Sequence, residues 1–545
     1  MDSMLIGNGF LCSPADSADP VRGELLVVDG RIAAVGTDLP VPAGTQLVDL
    51  AGGTLLPAFG DGHAHPLQAG VESRFAPVRG DSLDAVYAGV RAWATAHPEA
   101  EWIYGGGFDL ALTADGVFDA RWLDVVEADR PVVLRGVDYH TLWCNSEALA
   151  RSGLTADTPD PADGTIVRRA DGTPCGTLRE WGATDPVFAA MPSPGPELQV
   201  EALRTATAVA AAVGLTWMQD AWVEPSDVPV YLSALQAGAL RVGINLAFRA
   251  DPTQWPSQVA LFAGLRDQVT AAGTGTAGAD GAAPLGRPGG VTARTVKFFV
   301  DGVIESGTAS MLAPYLDCPH SSGMPLWTRP ELAGAVAAFS AVGFQVHLHA
   351  IGDAAVRDAL DAIEQSAEVI GRRDLRPVIA HLQVIDPADV GRLAALGVIA
   401  CFQPLWAQPD ALQEVLTIPR IGPARAALQY PIGSLIASGA PVSFGSDWPV
   451  TDLAPAEGIA TAVTRQTPDG APEGGWYPDE RIDLRAALTA YTAGVAYQAS
   501  RDAGRLTVGA VADLVWLGAD LRSADTAALR SAPVLGTWAA GVRTH

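Results

Sequence analysis

From residue 292 to residue 444, short apolar runs alternate with stretches of helical period, and this restricts the fold to a parallel sheet. The runs are 292–300, 344–349, 378–381, 398–402 and 442–444. The helical stretches 330–341, 354–368, 387–396 and 432–438 fill the gaps between them. Parallel neighbours need crossover connections of this length. Further runs at 55–65, 102–106, 131–137, 215–220 and 242–248 bring the strand candidates to ten, with helical patterns at 83–96, 120–127 and 196–213. An eight-stranded barrel has room for eight, so two belong to an insertion. Residues 152–178, rich in Gly, Pro, Asp and Thr, read as inserted turns; residues 271–290 have no periodicity and read as a mobile surface loop.

The two ends of the chain differ from this pattern. Runs 24–28 and 31–35 flank Asp29-Gly30, a favoured two-residue hairpin turn. Short strands return at 512–517 and 534–538, so the ends are expected to join in one small β domain. The expected architecture is an α/β chain with a (β/α)8 TIM-like barrel. Its parts are 1–54 and 501–545 for the β domain and 55–500 for the barrel, with insertions near 138–182 and 271–290.

Barrel enzymes carry their chemistry at the C-terminal ends of the strands. His63 and His65 close the run 55–65, and their i, i+2 spacing puts both imidazoles on one face. His349, His381 and Asp447 close later runs, and Lys297 lies on another. Among 35 basic residues Lys297 is the sole lysine. Guanidinium stays charged, whereas a buried amine can lose its proton and act as a nucleophile. A single lysine at this place is a candidate for a task arginine cannot perform.

A net charge of −26 argues against nucleic acid or an anionic membrane as partner. No basic leader with an apolar core opens the chain, and no run approaches membrane-spanning length. Five scattered cysteines without metal-type spacing fit free thiols in a reducing compartment, so a cytoplasmic location is expected. The expected partner is a small-molecule substrate, and a homo-oligomer is compatible with the sequence.

At these residues the sequence resembles the amidohydrolase superfamily, in particular the branch containing N-substituted formamide deformylases. The segments that carry the resemblance are Gly62-His63-Ala64-His65, Lys297-Phe298-Phe299-Val300-Asp301-Gly302, His349-Ala350-Ile351-Gly352-Asp353, Ala380-His381-Leu382-Gln383 and Gly445-Ser446-Asp447-Trp448-Pro449. Residues 102–106, His140 with Asn145-Ser146, and 509–514 also match. The motifs are specific jointly and in this order, and the resemblance covers nearly the whole chain.

The resemblance implies a β-sandwich-like terminal domain and one or two divalent ions, usually zinc. It implies that His63, His65 and Asp447 hold one ion, that His349 and His381 hold the other, and that a carboxylated Lys297 bridges them. The implied reaction is cleavage of the C–N bond of an amide (an N-formyl or N-acyl amine) by metal-bound hydroxide, with Asp447 as proton shuttle. Ester, lactone or carbamate hydrolysis on the same centre is the alternative. An inactive metal-binding scaffold is a third reading, against which the retention of the only lysine counts. His140 and Glu180 match the family's inserted region, where a structural role is as natural as substrate binding. Trp222, Trp406 and Trp448 lie near strand ends, where they could line an apolar pocket or simply pack in the core. His347 shares a face with His349. Two departures stand out. Gly352 occupies the place of a glutamate in deaminases of the superfamily, and Gly307 lies in a segment where relatives often carry arginine.

Overall fold

Strands buried along their whole length build the centre of the protein. Val378–His381 and Ile399–Phe402 are buried at every residue, as parallel strands covered on both faces must be. The computed structural model describes residues 3–16, 19–161, 163–273, 289–522 and 526–545. In it Phe59–Ala64, Leu215–Val223, Gly243–Arg249, Val291–Phe299, Gln345–Ala350, Val378–His381, Ile399–Phe402 and Val442–Phe444 pair in that order, all parallel. They form a nearly closed eight-stranded, TIM-like barrel.

The seam between first and last strands is held just beyond the ladder. Asp447 N–H donates to the His63 carbonyl at 2.7 Å, and His65 N–H to the Trp448 carbonyl at 2.8 Å. The approach is close enough that a Cβ on Gly445 would lie 2.7 Å from His63 N, so only glycine fits there. Asp61 braces the same seam, accepting from His63 N, Ser446 N and Ser446 Oγ.

The expected helices are present with local reasons for their ends. Arg329–Ala341 begins at Thr328 in a reciprocal capping box with Glu331. Pro387–Leu396 is capped by Asp386 and stops at Gly397, whose φ is 68°. Among the described residues no helix is long and apolar enough to cross a membrane.

The two chain ends meet in one mixed sheet ordered Val542–Arg543, Val534–Ala539, Leu514–Leu517, Thr54–Pro57, Ser3–Leu11, Val21–Val28 and Arg31–Gly36, with Gln46–Asp49 beside Ser3–Leu11. Asp29 and Gly30 turn the hairpin with φ of 49° and 78°. The run 55–65 is two strands rather than one. Leu55 and Leu56 pair with Trp516 and Val515 of the terminal sheet, whereas Phe59 pairs with Leu215 of the barrel. The switch falls next to Pro57, which has no N–H to offer a ladder.

The insertion differs from the expected one near 138–182. A six-stranded sheet, ordered Thr165–Arg168, Pro174–Arg179, Thr141–Cys144, Val132–Gly136, Ile103–Phe108 and Ala76–Pro77, lies between barrel strands one and two. It starts about sixty residues earlier than expected and contains the two surplus strand candidates. Ile103–Phe108 and Val132–Gly136 are parallel and follow helices Leu83–Ala96 and Ala120–Asp124. They therefore carry the same pattern as barrel units, and only their choice of partner sets them apart. The second expected insertion, 271–290, lies for residues 274–288 outside the described residues.

Candidate active site

The parallel register sets the depth of each functional side chain in the barrel. Lys297 pairs with His347 and Phe299 with His349 on the next strand, so the alternating positions 297, 299, 347 and 349 share the inward face. His349 pairs with Ala380 and Ala350 with His381. Six of the nine histidines meet in consequence. Ring centroids are 5.5 Å apart for His63–His65, 4.8 Å for His63–His347, 4.6 Å for His63–His381, 4.5 Å for His349–His381 and 5.5 Å for His140–His349.

Asp447 and Lys297 enter the same chamber. Asp447 Oδ1 is 3.0 Å from His65 Nε2 and 3.4 Å from His63 Nε2, and Lys297 Nζ is 3.4 Å from His63 Nε2. The ligand atoms of His63, His381 and Asp447 all lie within 4.8 Å of one another. That triple draws on both expected ligand groups, so the two groups occupy one chamber. His381 and Asp447 adopt left-handed φ of 76° and 57°. Such backbone is costly for non-glycine residues and collects at functional sites.

The hydrogen bonds around the rings decide which nitrogens are free. His381 Nδ1 donates to Gln403 Oε1 at 2.9 Å, leaving Nε2 as the lone pair. His349 Nε2 donates to the Gly302 carbonyl at 3.2 Å, leaving Nδ1. His63 Nδ1 meets His347 Nε2 at 2.8 Å, so its Nε2 faces Asp447 and Lys297. His63, His347, His349 and His381 are held well below the usual histidine range, chiefly by burial and further by Lys297 and neighbouring imidazoles. They are neutral, the form that binds metal. Burial also lowers the Lys297 amine to about 7, against the opposing pull of Asp447.

These residues suit a divalent ion. Asp447 Oδ1 and His65 Nδ1 are buried with no hydrogen-bond partner. A carboxylate oxygen and neutral imidazoles with inward lone pairs form a zinc-type donor set. His347 would act through His63, by fixing its tautomer and ring. Changing His347→Ala is expected to weaken metal affinity about 10- to 100-fold, measured by competition with a chelator.

Other expected site residues divide. His140 Nδ1 and Glu180 Oε2 form a buried pair at 2.7 Å beside His349. Burial opposes the charge on His140, but Glu180 outweighs it and raises the histidine. Trp406 stacks on His381 at 5.3 Å with planes 4° apart. Trp448 contributes backbone to the seam. Trp222 faces a cavity of about 960 Å³ between the barrel mouth and the inserted sheet. His65 and Asp220 line it from the barrel, and Phe75, Trp181 and Phe188 give it an aromatic wall.

Three buried carboxylates have structural and electrostatic roles that the sequence analysis does not assign, although Asp301 lies in one of the segments that carry the resemblance. Asp301 accepts from Ser310 N, Ile351 N and Gly352 N, tying together the loops after strands four and five. Asp220, hydrogen-bonded by Tyr231, lies 3.9 Å from His65 Nδ1. Burial raises Asp61, Asp220 and Asp301 each to about 7. Asp220 closes the apolar run 215–220 and Asp301 follows the run 292–300, which are the signals the sequence offers for them. Gly352 has a steric explanation, since a Cβ there would lie 2.0 Å from the Ser310 carbonyl oxygen. The backbone excludes a deaminase-type glutamate. Gly352→Ala is expected to cost about 1–3 kcal/mol, read as a lower midpoint in denaturant unfolding.

Comparison with known proteins agrees with this geometry. The model of the amidohydrolase family matches residues 46–545. Protein LONG AFTER FAR-RED 3 of Arabidopsis thaliana is 30% identical, over 99% of this chain and 91% of its own. The N-substituted formamide deformylase of Arthrobacter pascens is 28% identical, over 97% and 95%. An uncharacterized metal-dependent hydrolase from Pyrococcus horikoshii OT3 shares the fold, with a TM-score of 0.73 and 21% identity over 96% of this chain and 99% of that one. With a barrel of this order, a histidine-rich chamber at its strand ends and a family match across most of its length, the chain belongs to the amidohydrolase family.

Proposed function

We propose that this protein is a metal-dependent hydrolase that cleaves the C–N bond of an amide, an N-formyl or N-acyl amine, in a small-molecule substrate. The observation that carries this reading is the convergence of His63, His65, His349, His381, Lys297 and Asp447 in one buried chamber at the barrel's strand ends. The similarity to an N-substituted formamide deformylase over nearly the full length of both chains supports the amide class. The blocked position of Gly352 counts against deamination.

His63, His65 and Asp447 would hold one divalent ion, zinc by donor chemistry, and His349 and His381 a second. Lys297 would join both as a carbamate. Its amine adds to carbon dioxide, forming the N–C bond and releasing a proton, which requires a neutral amine. Burial supplies that state near neutral pH. The ions, when bound, supply Lewis acidity to the scissile carbonyl and to water.

The side chains do the rest. Asp447, in contact with both His63 and His65, takes a proton from the attacking water and returns it to the leaving nitrogen. The products are a carboxylate and an amine. The aromatic wall of the cavity binds the apolar part of the substrate and excludes water from it.

A panel of N-formyl amines, N-acyl amines, lactones and aryl esters tests the class. Amine release from an amide class, suppressed by a chelator, is expected. Turnover of esters or lactones alone would move the reaction to that class.

A further inference from the structure

Two arginines line the cavity, and they are in different states. Arg249 is engaged, with Nε 2.6 Å from Glu224 Oε1. Arg135, on the inserted strand Val132–Gly136, is 8% exposed. Its Nε is fully buried without a partner. Its Nη1 has only a long ion pair, with Glu72 Oε1 at 3.7 Å. Glu72 already accepts from Gln68 Nε2 at 3.0 Å, from Tyr104 OH at 3.3 Å and from Tyr139 OH. The guanidinium carbon sits 4.7 Å from the Phe188 ring centre and 5.2 Å from that of Tyr139, which hold its plane.

A buried cation with unused donors is costly unless something arrives to satisfy them. A guanidinium fork matches a carboxylate in shape and charge. We propose that Arg135 binds a carboxylate of the substrate, which makes the substrate class an N-formyl or N-acyl amine bearing an acidic group. The cavity it shares with His65 and Asp220 places this anchor within the space open to the barrel chamber. The substrate class rests on the amide reading above, whereas the carboxylate site does not.

The test is calorimetric binding of 3-phenylpropionate and its uncharged amide to the zinc-loaded protein, to Arg135→Gln and to Arg135→Lys. The acid is expected to bind the wild type at least ~10-fold more tightly than the amide. Arg135→Gln should erase that ratio and Arg135→Lys should keep part of it. If Arg135→Gln does not fold, the wild-type ratio and Arg135→Lys decide. Equal binding of acid and amide by the wild type would overturn the proposal. So would an acid preference that survives in Arg135→Gln, because the carboxylate would then sit at the metal ligands. Hydrolysis of an N-acyl amino acid and its carboxamide gives the second readout, with the acid preferred in kcat/KM and the preference lost in Arg135→Gln. If neither is hydrolysed while the binding ratio behaves as expected, the amide reading fails and the carboxylate site stands.

Discussion

Lys297→Arg is expected to be inactive, with turnover reduced at least about 1,000-fold, although one basic side chain replaces another. Lys297 is fully buried, its Nζ 3.4 Å from His63 Nε2 and 4.7 Å above the Phe299 ring. A guanidinium in this space would keep its charge among rings that burial keeps neutral, and it cannot add to carbon dioxide. Lys297→Ala should be equally inactive, but a small carboxylic acid should restore part of the turnover by standing in for the carbamate oxygens. A carbamate carbon signal in 13C NMR after growth or equilibration with labelled bicarbonate should be present in the wild type and absent from both variants. Wild-type turnover in Lys297→Arg would remove the carbamate from the account.

Asp447→Asn should separate metal binding from catalysis. The amide keeps an oxygen toward the chamber but cannot accept the proton of the attacking water. Loss of a positioned proton shuttle corresponds to about 10²- to 10⁴-fold in kcat. Metal content should fall far less than activity, because four histidines remain. The check is elemental analysis and steady-state kinetics on the same preparation. Asn at 447 with activity near the wild type would mean that another group moves the proton; Asp220, beside His65, would be the next residue to change.

What could be read from the sequence was what repeats or terminates. The barrel showed in the regular alternation from residue 292 onward, and the chemistry in residues closing apolar runs. His63, His65, His349, His381 and Asp447 were visible because a charged or metal-binding side chain at a strand end stands out against Val, Ile and Phe. The inserted sheet was misplaced because its parallel strands Ile103–Phe108 and Val132–Gly136 have the local pattern of barrel units. Strand partnership is a long-range choice that periodicity does not carry. His347 was readable as a neighbour of His349 on the same face, but its contact with His63, 284 positions away, was not. Arg135 was invisible for the same reason. Within Val132–Gly136 it looks like an ordinary polar residue of a strand, and only its packing against Glu72, Tyr139 and Phe188, distant in sequence or outside the strand, makes it a buried cation.

On the proposed reading, the chamber hydrolyses amides through bound metal. The most direct test follows amine release from an N-acyl amine by one preparation in three states: as purified, after chelation to an undetectable metal content, and after zinc is returned. The expected result is activity in the first state, loss in the second and recovery in the third, with Lys297→Ala silent throughout. Amine release that continues undiminished in the chelated protein would contradict the account.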